Sequence, residues 1–362
     1  VRIALAAGGT GGHMFPAQSL AEEAKARGWQ VMLLTDKRGL RFAEGFPRDE
    51  DVILKAASPS AKGAFAKLAA VFAILGGIRQ ARRALKSFGA DAVIGFGGYP
   101  SAPSMMAAQR LKLPTGLHEQ NAVLGRANRL SAKKAGFLAH GFPILMKKPS
   151  GLRHLTETGN PVRQAVLEAA RTAFEEPGEG PLRVLIFGGS QGARLFARVF
   201  APALAELPEE LRTRLDVTHQ AHDDDRDELA GLYKGAGIQA ELAPFFADLP
   251  RRIAESHLVI ARSGASSVAE LSVIGRPSLL VPLKIAMDDH QRINAQVLTE
   301  AGAADLILED DLTAESAARA LLTLLSDTSR LTAMAAAAKG RMAENAAGDL
   351  ADLTEALVAG KL

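Results

Sequence analysis

The segment Arg2-Ile3-Ala4-Leu5-Ala6-Ala7-Gly8-Gly9-Thr10-Gly11-Gly12-His13 decides the fold. It is echoed half a chain later by Arg183-Val184-Leu185-Ile186-Phe187-Gly188-Gly189-Ser190-Gln191-Gly192. Each copy is a short apolar run leading straight into a glycine loop, and a helical run, 17–27, follows the first. Strand, glycine loop and helix open a nucleotide-binding unit of the doubly wound kind. A repeat at this distance favours two such units over one long sheet.

Outward from these segments, apolar runs at 3–7, 31–35, 92–96 and 115–118, then 182–187, 215–219, 258–261 and 278–283, alternate with longer helical stretches. That alternation predicts an α/β protein with two parallel sheets covered by helices on both faces, as two Rossmann-like, doubly wound domains facing across a cleft. The turn-prone Gly159-Asn160-Pro161 places the boundary: residues 1–162 form the first domain and 163–340 the second, and a terminal helix over 341–362 crosses back to the first.

Composition narrows the function. At 362 residues the chain exceeds one core, and 48% hydrophobic with 23% charged residues excludes a disordered or low-complexity protein. With no cysteine there is no disulfide framework, thiolate metal site or cysteine nucleophile, which fits a reducing cytoplasm. No export signal is visible, and the uncharged run 68–78 falls short of the roughly 20 residues that span a bilayer. Charge is divided: residues 1–162 carry 23 Lys and Arg against 10 Asp and Glu, residues 163–362 carry 20 against 30. The basic half is suited to an anionic partner.

Four loops carry candidate chemistry: 8–13, Gly95-Phe96-Gly97-Gly98-Tyr99-Pro100-Ser101, 188–193, and Ala261-Arg262-Ser263-Gly264-Ala265-Ser266-Ser267. Each follows a strand and opens a helix, so backbone N–H groups and the helix dipole meet an oxyanion that glycine lets come close. Phosphate is the expected guest. Asp36 stands where a dehydrogenase would place a ribose-binding acid, but Met14 breaks the G-x-G-x-x-G spacing, and Gly188 to Gly192 miss it too. Glu270, two turns into its helix, suits a ribose diol, and Asp288-Asp289-His290-Gln291 suits sugar hydroxyls; a solvated helix face and a plain loop are the alternatives. The run 222–228, rich in Asp, reads as a helix cap rather than a metal motif.

Between Val52 and Ala90 there is no acid, but there are Lys55, Lys62, Lys67, Arg79, Arg82, Arg83 and Lys86, with Phe65, Leu68, Phe72 and Leu75 at helical spacing. This suits docking of residues 62–86 on an anionic membrane surface; the alternative is packing into the first core. With 5% aromatics and no stacking platform, nucleic acid is not expected.

Taken together, 8–13, Phe96-Gly97-Gly98-Tyr99, His118-Glu119-Gln120-Asn121, Gly159-Asn160-Pro161-Val162-Arg163, 188–193 and Arg262-Ser263-Gly264-Ala265 resemble the MurG family, the peptidoglycan N-acetylglucosaminyltransferases of GT-B fold, in order and over almost the whole chain. The resemblance implies inverting transfer of N-acetylglucosamine from UDP-GlcNAc to the 4-hydroxyl of MurNAc in lipid I, giving lipid II and UDP, without metal or other cofactor. It implies that Thr10, Gly11 and Gly12 touch the donor, with Asn121 on its sugar and Arg163, Ser190 and Gln191 near the nucleotide-sugar. Phe246 then holds uracil through backbone groups, Ser263 and Gly264 open the diphosphate loop, Glu270 takes the ribose, and Ala265 with Gln291 the hexose. The first of the family's paired glutamines is His290 here.

The resemblance also implies that the first two glycine loops, 8–13 and 95–101 with Gly97, Gly98, Tyr99 and Ser101, receive the acceptor's pyrophosphate. His13 is the candidate base, because imidazole titrates near neutral pH, and Glu119 is the reserve. The same resemblance implies a peripheral enzyme at the cytoplasmic face of the bacterial inner membrane, in contact with other wall-synthesis proteins. A GT-B UDP-GlcNAc 2-epimerase and a noncatalytic nucleotide-sugar sensor are the competing readings.

Overall fold

The computed structural model describes residues 1–54, 64–188 and 193–362, with backbone alone for 64–71 and 193. These residues form two compact units, Val1–Arg163 with Ala343–Leu362, and Gln164–Met342.

The first unit holds strands β1 (Arg2–Ala6), β2 (Gln30–Thr35), β3 (Glu50–Ile53), β4 (Ala92–Gly95), β5 (Thr115–Glu119), β6 (Phe137–His140) and β7 (Leu155–Glu157), all parallel, in the order β3-β2-β1-β4-β5-β6-β7. Helices α1 (Gly11–Ala26), α2 (Ala64–Phe88), α3 (Ser101–Arg110) and α4 (Arg126–Ser131) lie between strands. Successive side chains of a strand point to opposite faces, so Ile3 and Leu5 enter one core with Trp29 and Phe137, while Ala4 and Ala6 enter another with Ile78, Leu85 and Phe88. Burial on both faces explains why β1 reads as a continuous apolar run.

The second unit holds β8 (Leu182–Phe187), β9 (Leu215–Gln220), β10 (Gln239–Ala243), β11 (Leu258–Ala261), β12 (Ser278–Leu280) and β13 (Ala304–Leu306), parallel, in the order β10-β9-β8-β11-β12-β13. Its helices are α5 (Gln164–Ala169), α6 (Ala193–Ala205), α7 (Glu209–Arg212), α8 (Arg226–Gly235), α9 (Leu249–Glu255), α10 (Ala265–Ile274), α11 (His290–Thr299), α12 (Ala314–Leu325) and α13 (Thr328–Ala338). Both sheets reverse direction of winding at their first strand, which puts the glycine loops at topological switch points. Helix α14 (Ala346–Val358) returns to the first unit: Leu350 and Leu357 are buried in its core, and Arg27 of the α1 end pairs with Asp352 at 2.6 Å.

Five strands escape the reading of apolar runs. β3 and β10 are mostly exposed edge strands with few apolar residues, and β6, β7 and β13 have three or four residues each. Helix α2 divides the basic, apolar segment. Ile78, Ala81, Leu85 and Phe88 pack inward, whereas Phe72, Leu75, Arg79, Arg82, Arg83 and Lys86 are exposed. Lys55 and Lys62 lie outside the described residues, and the side chains of Phe65, Lys67 and Leu68 do too. No helix among the described residues is long and apolar enough to cross a membrane.

Candidate active site

In the first unit the loops after β1, β2 and β4 meet. Gly98, at φ +79, lies so close to the first loop that a Cβ would come 2.4 Å from the Gly8 carbonyl oxygen; a Cβ on Gly8 would strike Pro100 at 2.4 Å. Only glycine fits either place. Asp36 ties the first loop down: its Oδ1 accepts the Gly9 and Gly39 N–H groups at 3.1 and 2.9 Å. The acid that a dehydrogenase would offer to ribose is spent on the protein's own backbone.

Thr10 precedes α1 in extended conformation, and its Oγ1 lies 3.2 Å from His13 Nδ1. When Nδ1–H donates to that hydroxyl, Nε2 is the basic nitrogen; the hydroxyl can also donate to Nδ1. The His13 ring stands against Gly97, its Nε2 3.2 Å from where a Gly97 Cβ would be, with Asn128 Nδ2 3.6 Å from the same point. Gly11 and Gly12 form the first turn of α1, and Gly11 packs on the Phe15 ring. Arg163 stacks on that ring, 4.4 Å from its centroid. Tyr99 is half-buried, whereas Ser101 is turned inward, 1% exposed, against Gly95.

Glu119 has a different task from the one held in reserve for it. It is 2% exposed, Oε1 accepts from the Asn121 backbone and side chain, and Oε2 accepts from Gly125 N–H at 2.8 Å and Asn128 Nδ2 at 2.9 Å. Burial pushes its carboxyl above the usual range against the pull of these donors. With four donors on two oxygens, it orients Asn121 and the turn before α4 and is not placed as a base. Beside it, His118 is fully buried, held at about 4 by desolvation, and hydrogen-bonded through Nε2 to the Gly159 carbonyl at 3.0 Å.

In the second unit Arg262 follows β11 and is 7% exposed; its Nη1 donates to the carbonyls of Val281 and Pro282 and pairs with Glu309 at 2.7 Å. Glu309 also accepts from Lys284 N–H. Ser263 Oγ donates to the Gln291 carbonyl at 2.8 Å, and Gln291 Oε1 accepts from Leu283 N–H at 2.9 Å. Ser263, Gln291 and the loop after β12 are therefore brought together beside Gly264, the residue before α10, and Ala265, its first. Glu270 is buried in the same helix. Phe246 is buried beneath the Arg252 guanidinium, 4.4 Å from its ring, on the loop after β10. Gln220 joins that loop to the first glycine of the β8 loop, accepting from Gly188 N–H and donating to the Pro244 carbonyl. Ser190 and Gln191 lie outside the described residues. The acidic run opens α8, with Asp227 and Glu228 in its first turn and Asp224 paired to Arg194.

Asp36, Asn128, Gln220 and Glu309 were not legible as site builders, because each acts on a loop distant in sequence. The acid placed directly after β2 was the one available signal.

Residues 3–137 match the glycosyltransferase family 28 N-terminal domain, and residues 183–352 the glycosyltransferase family 28 C-terminal domain. A protein of Caulobacter vibrioides (strain NA1000 / CB15N), named UDP-N-acetylglucosamine--N-acetylmuramyl-(pentapeptide) pyrophosphoryl-undecaprenol N-acetylglucosamine transferase, is 48% identical over 355 residues, 97% of each chain. The chain belongs to glycosyltransferase family 28. A relative of the same name from Mesorhizobium japonicum is 46% identical over 99% of this family 28 chain and 96% of its own. The crystal structure of Acinetobacter baumannii MurG matches it with TM-score 0.78 and 31% identity, over 98% of this chain and 99% of that one. A Listeria monocytogenes protein described as a UDP-N-acetylglucosamine 2-epimerase, TM-score 0.68 at 16% identity, shares the fold.

Proposed function

We propose that this protein transfers N-acetylglucosamine from UDP-GlcNAc, with inversion, to the 4-hydroxyl of MurNAc in undecaprenyl-pyrophosphoryl-MurNAc-pentapeptide (lipid I), giving lipid II and UDP. The observation that carries it is 48% identity, over nearly the whole of both chains, to a relative named for that reaction. Residues 1–162 with 341–362 serve the acceptor and the membrane, and residues 163–340 serve the donor.

His13 takes the proton of the attacking hydroxyl at Nε2, with the Thr10 hydroxyl accepting from Nδ1–H. Glu119 fixes Asn121, the residue assigned to the donor sugar. In the second unit the start of α10 and the β8 loop supply N–H groups to the departing diphosphate, which stabilises charge where it develops. Glu270 binds the ribose, the backbone at Phe246 the uracil, and Gln291 with Ala265 the hexose. The acceptor's polyprenyl chain stays in the cytoplasmic leaflet of the inner membrane, and exposed Phe72, Leu75 and Arg79 on α2 dock there peripherally.

Incubation with labelled UDP-GlcNAc tests this: label enters lipid only when lipid I is present. Release of an altered sugar without acceptor would mean an epimerase, and binding without turnover a sensor. His13→Ala should lower kcat by about 10²–10⁴ and abolish the acid limb of the pH profile. Phe72→Ser with Arg79→Glu should weaken binding to anionic vesicles while leaving UDP-GlcNAc affinity unchanged.

A further inference from the structure

The two glycine loops read as the acceptor's pyrophosphate site, 8–13 and 95–101, contain no Lys or Arg, and part of their anion-binding capacity is already used. Gly9 N–H, which would face a phosphate, donates instead to Asp36. A diphosphate at these loops therefore needs positive charge from elsewhere, and one side chain is placed to give it. Arg38 follows β2, donates its Nε to Asp36 Oδ2 at 3.2 Å, and has its guanidinium carbon 5.8 Å from the centroid of the Tyr99 ring. One terminal nitrogen lies 3.7 Å from where a Gly9 Cβ would stand. The guanidinium thus lies beside both glycine loops, touching the second through Tyr99 and the first through Gly9.

Five N–H groups belong to a guanidinium, and Asp36 takes the one on Nε. The four on Nη1 and Nη2 have no hydrogen-bond partner among the described residues, and the side chain is 58% exposed. Asp36 is 6% exposed and is itself fixed by two backbone N–H groups, so it holds the planar fork in one orientation while offsetting part of its charge. A fork held at its Nε edge, with the Nη edge unspent, is the arrangement that grips phosphate oxygens in pairs.

We propose that Arg38 is the side-chain cation that binds the diphosphate of the lipid-linked acceptor at the paired glycine loops, with Asp36 and Tyr99 as its holders. The assignment rests on the acceptor reading of the first unit and adds to it the charged contact that reading lacks.

Steady-state kinetics of the full-length wild type, Arg38→Gln and Arg38→Lys test it. The acceptor is a soluble muramoyl-pentapeptide carrying a short polyprenyl diphosphate, and inorganic pyrophosphate serves as inhibitor at saturating UDP-GlcNAc. Arg38→Gln should raise the acceptor KM about 10- to 100-fold and the pyrophosphate Ki in parallel, with the UDP-GlcNAc KM within about twofold and kcat nearly kept. Arg38→Lys should recover part of both. An unchanged acceptor KM and Ki would overturn the proposal. So would a joint loss of kcat, both KM values and Tm in both variants, which would make Arg38 a strut for Asp36. A wild type that transfers no sugar to this acceptor would instead overturn the acceptor reading itself.

Discussion

The two units share a strand order but hold their loops with opposite charges. The first unit gathers N–H groups around buried carboxylates: Asp36 collects Gly9 and Gly39, and Glu119 collects Asn121, Gly125 and Asn128. The second gathers carbonyls around buried guanidiniums: Arg262 takes Val281 and Pro282, and Arg276 takes Thr172, Ala173, Ala254, Ile274 and Gly275. Each half buries the charge it has less of, since the first is rich in Lys and Arg and the second in Asp and Glu. The scarce sign is spent inside and the abundant sign is left on the surface.

Arg276 offers the largest break in this comparison. It is 1% exposed, its guanidinium is pulled down to about 10 by burial and so stays charged at neutral pH, and it closes the carboxyl ends of α9 and α10 together. Arg276→Met fills the space and leaves those carbonyls unpaired. The second unit should lose about 3–5 kcal/mol, read by hydrogen exchange unit by unit, with the first unit unaffected. A loss under about 1 kcal/mol would show that these carbonyls need no cation.

Acid sharpens the comparison next. His118 is held at about 4 in the folded first unit against 6.5 when free, and His219 at about 3 in the second. The unfolded chain therefore binds more protons between about pH 6.5 and pH 4, and stability falls as pH falls through that window, by about 3 kcal/mol for His118. His118→Gln should flatten the urea midpoint of the first unit across this range and leave the slope of the second. A smaller effect is expected from Glu119→Gln, which sets an amide N–H against N–H donors: about 2 kcal/mol in the first unit, with kcat reduced through Asn121.

The glycine loops were legible because their signal is local: a strand, small residues and a helix stand next to one another in sequence, and Gly8 and Gly98 occupy places no other residue fits. The anchors were not, because their meaning is set by long-range contact. Arg276 sits in an ordinary Gly275-Arg276-Pro277 turn, and three of its partners, the carbonyls of Thr172, Ala173 and Ala254, are reached only when three helices end at one point. Glu119 lies in a recognisable motif, yet which of its atoms are spent depends on residues up to nine positions on. Edge strands β3 and β10 stayed hidden because solvent on one side removes the apolar pattern.

One residue breaks the rule of opposite signs. Glu270 is a buried acid in the acidic unit, 6% exposed, where the other buried charges are arginines among the described residues. In the proposed function Glu270 accepts from the ribose diol of the donor, a role that sets it apart from the buried arginines. Glu270→Gln keeps the shape and removes the charge. The expected result is a UDP-GlcNAc KM raised about 10-fold with the acceptor KM and kcat nearly unchanged. A loss of stability like that of Glu119→Gln, with donor binding intact, would make Glu270 a third kind of internal anchor and remove the exception.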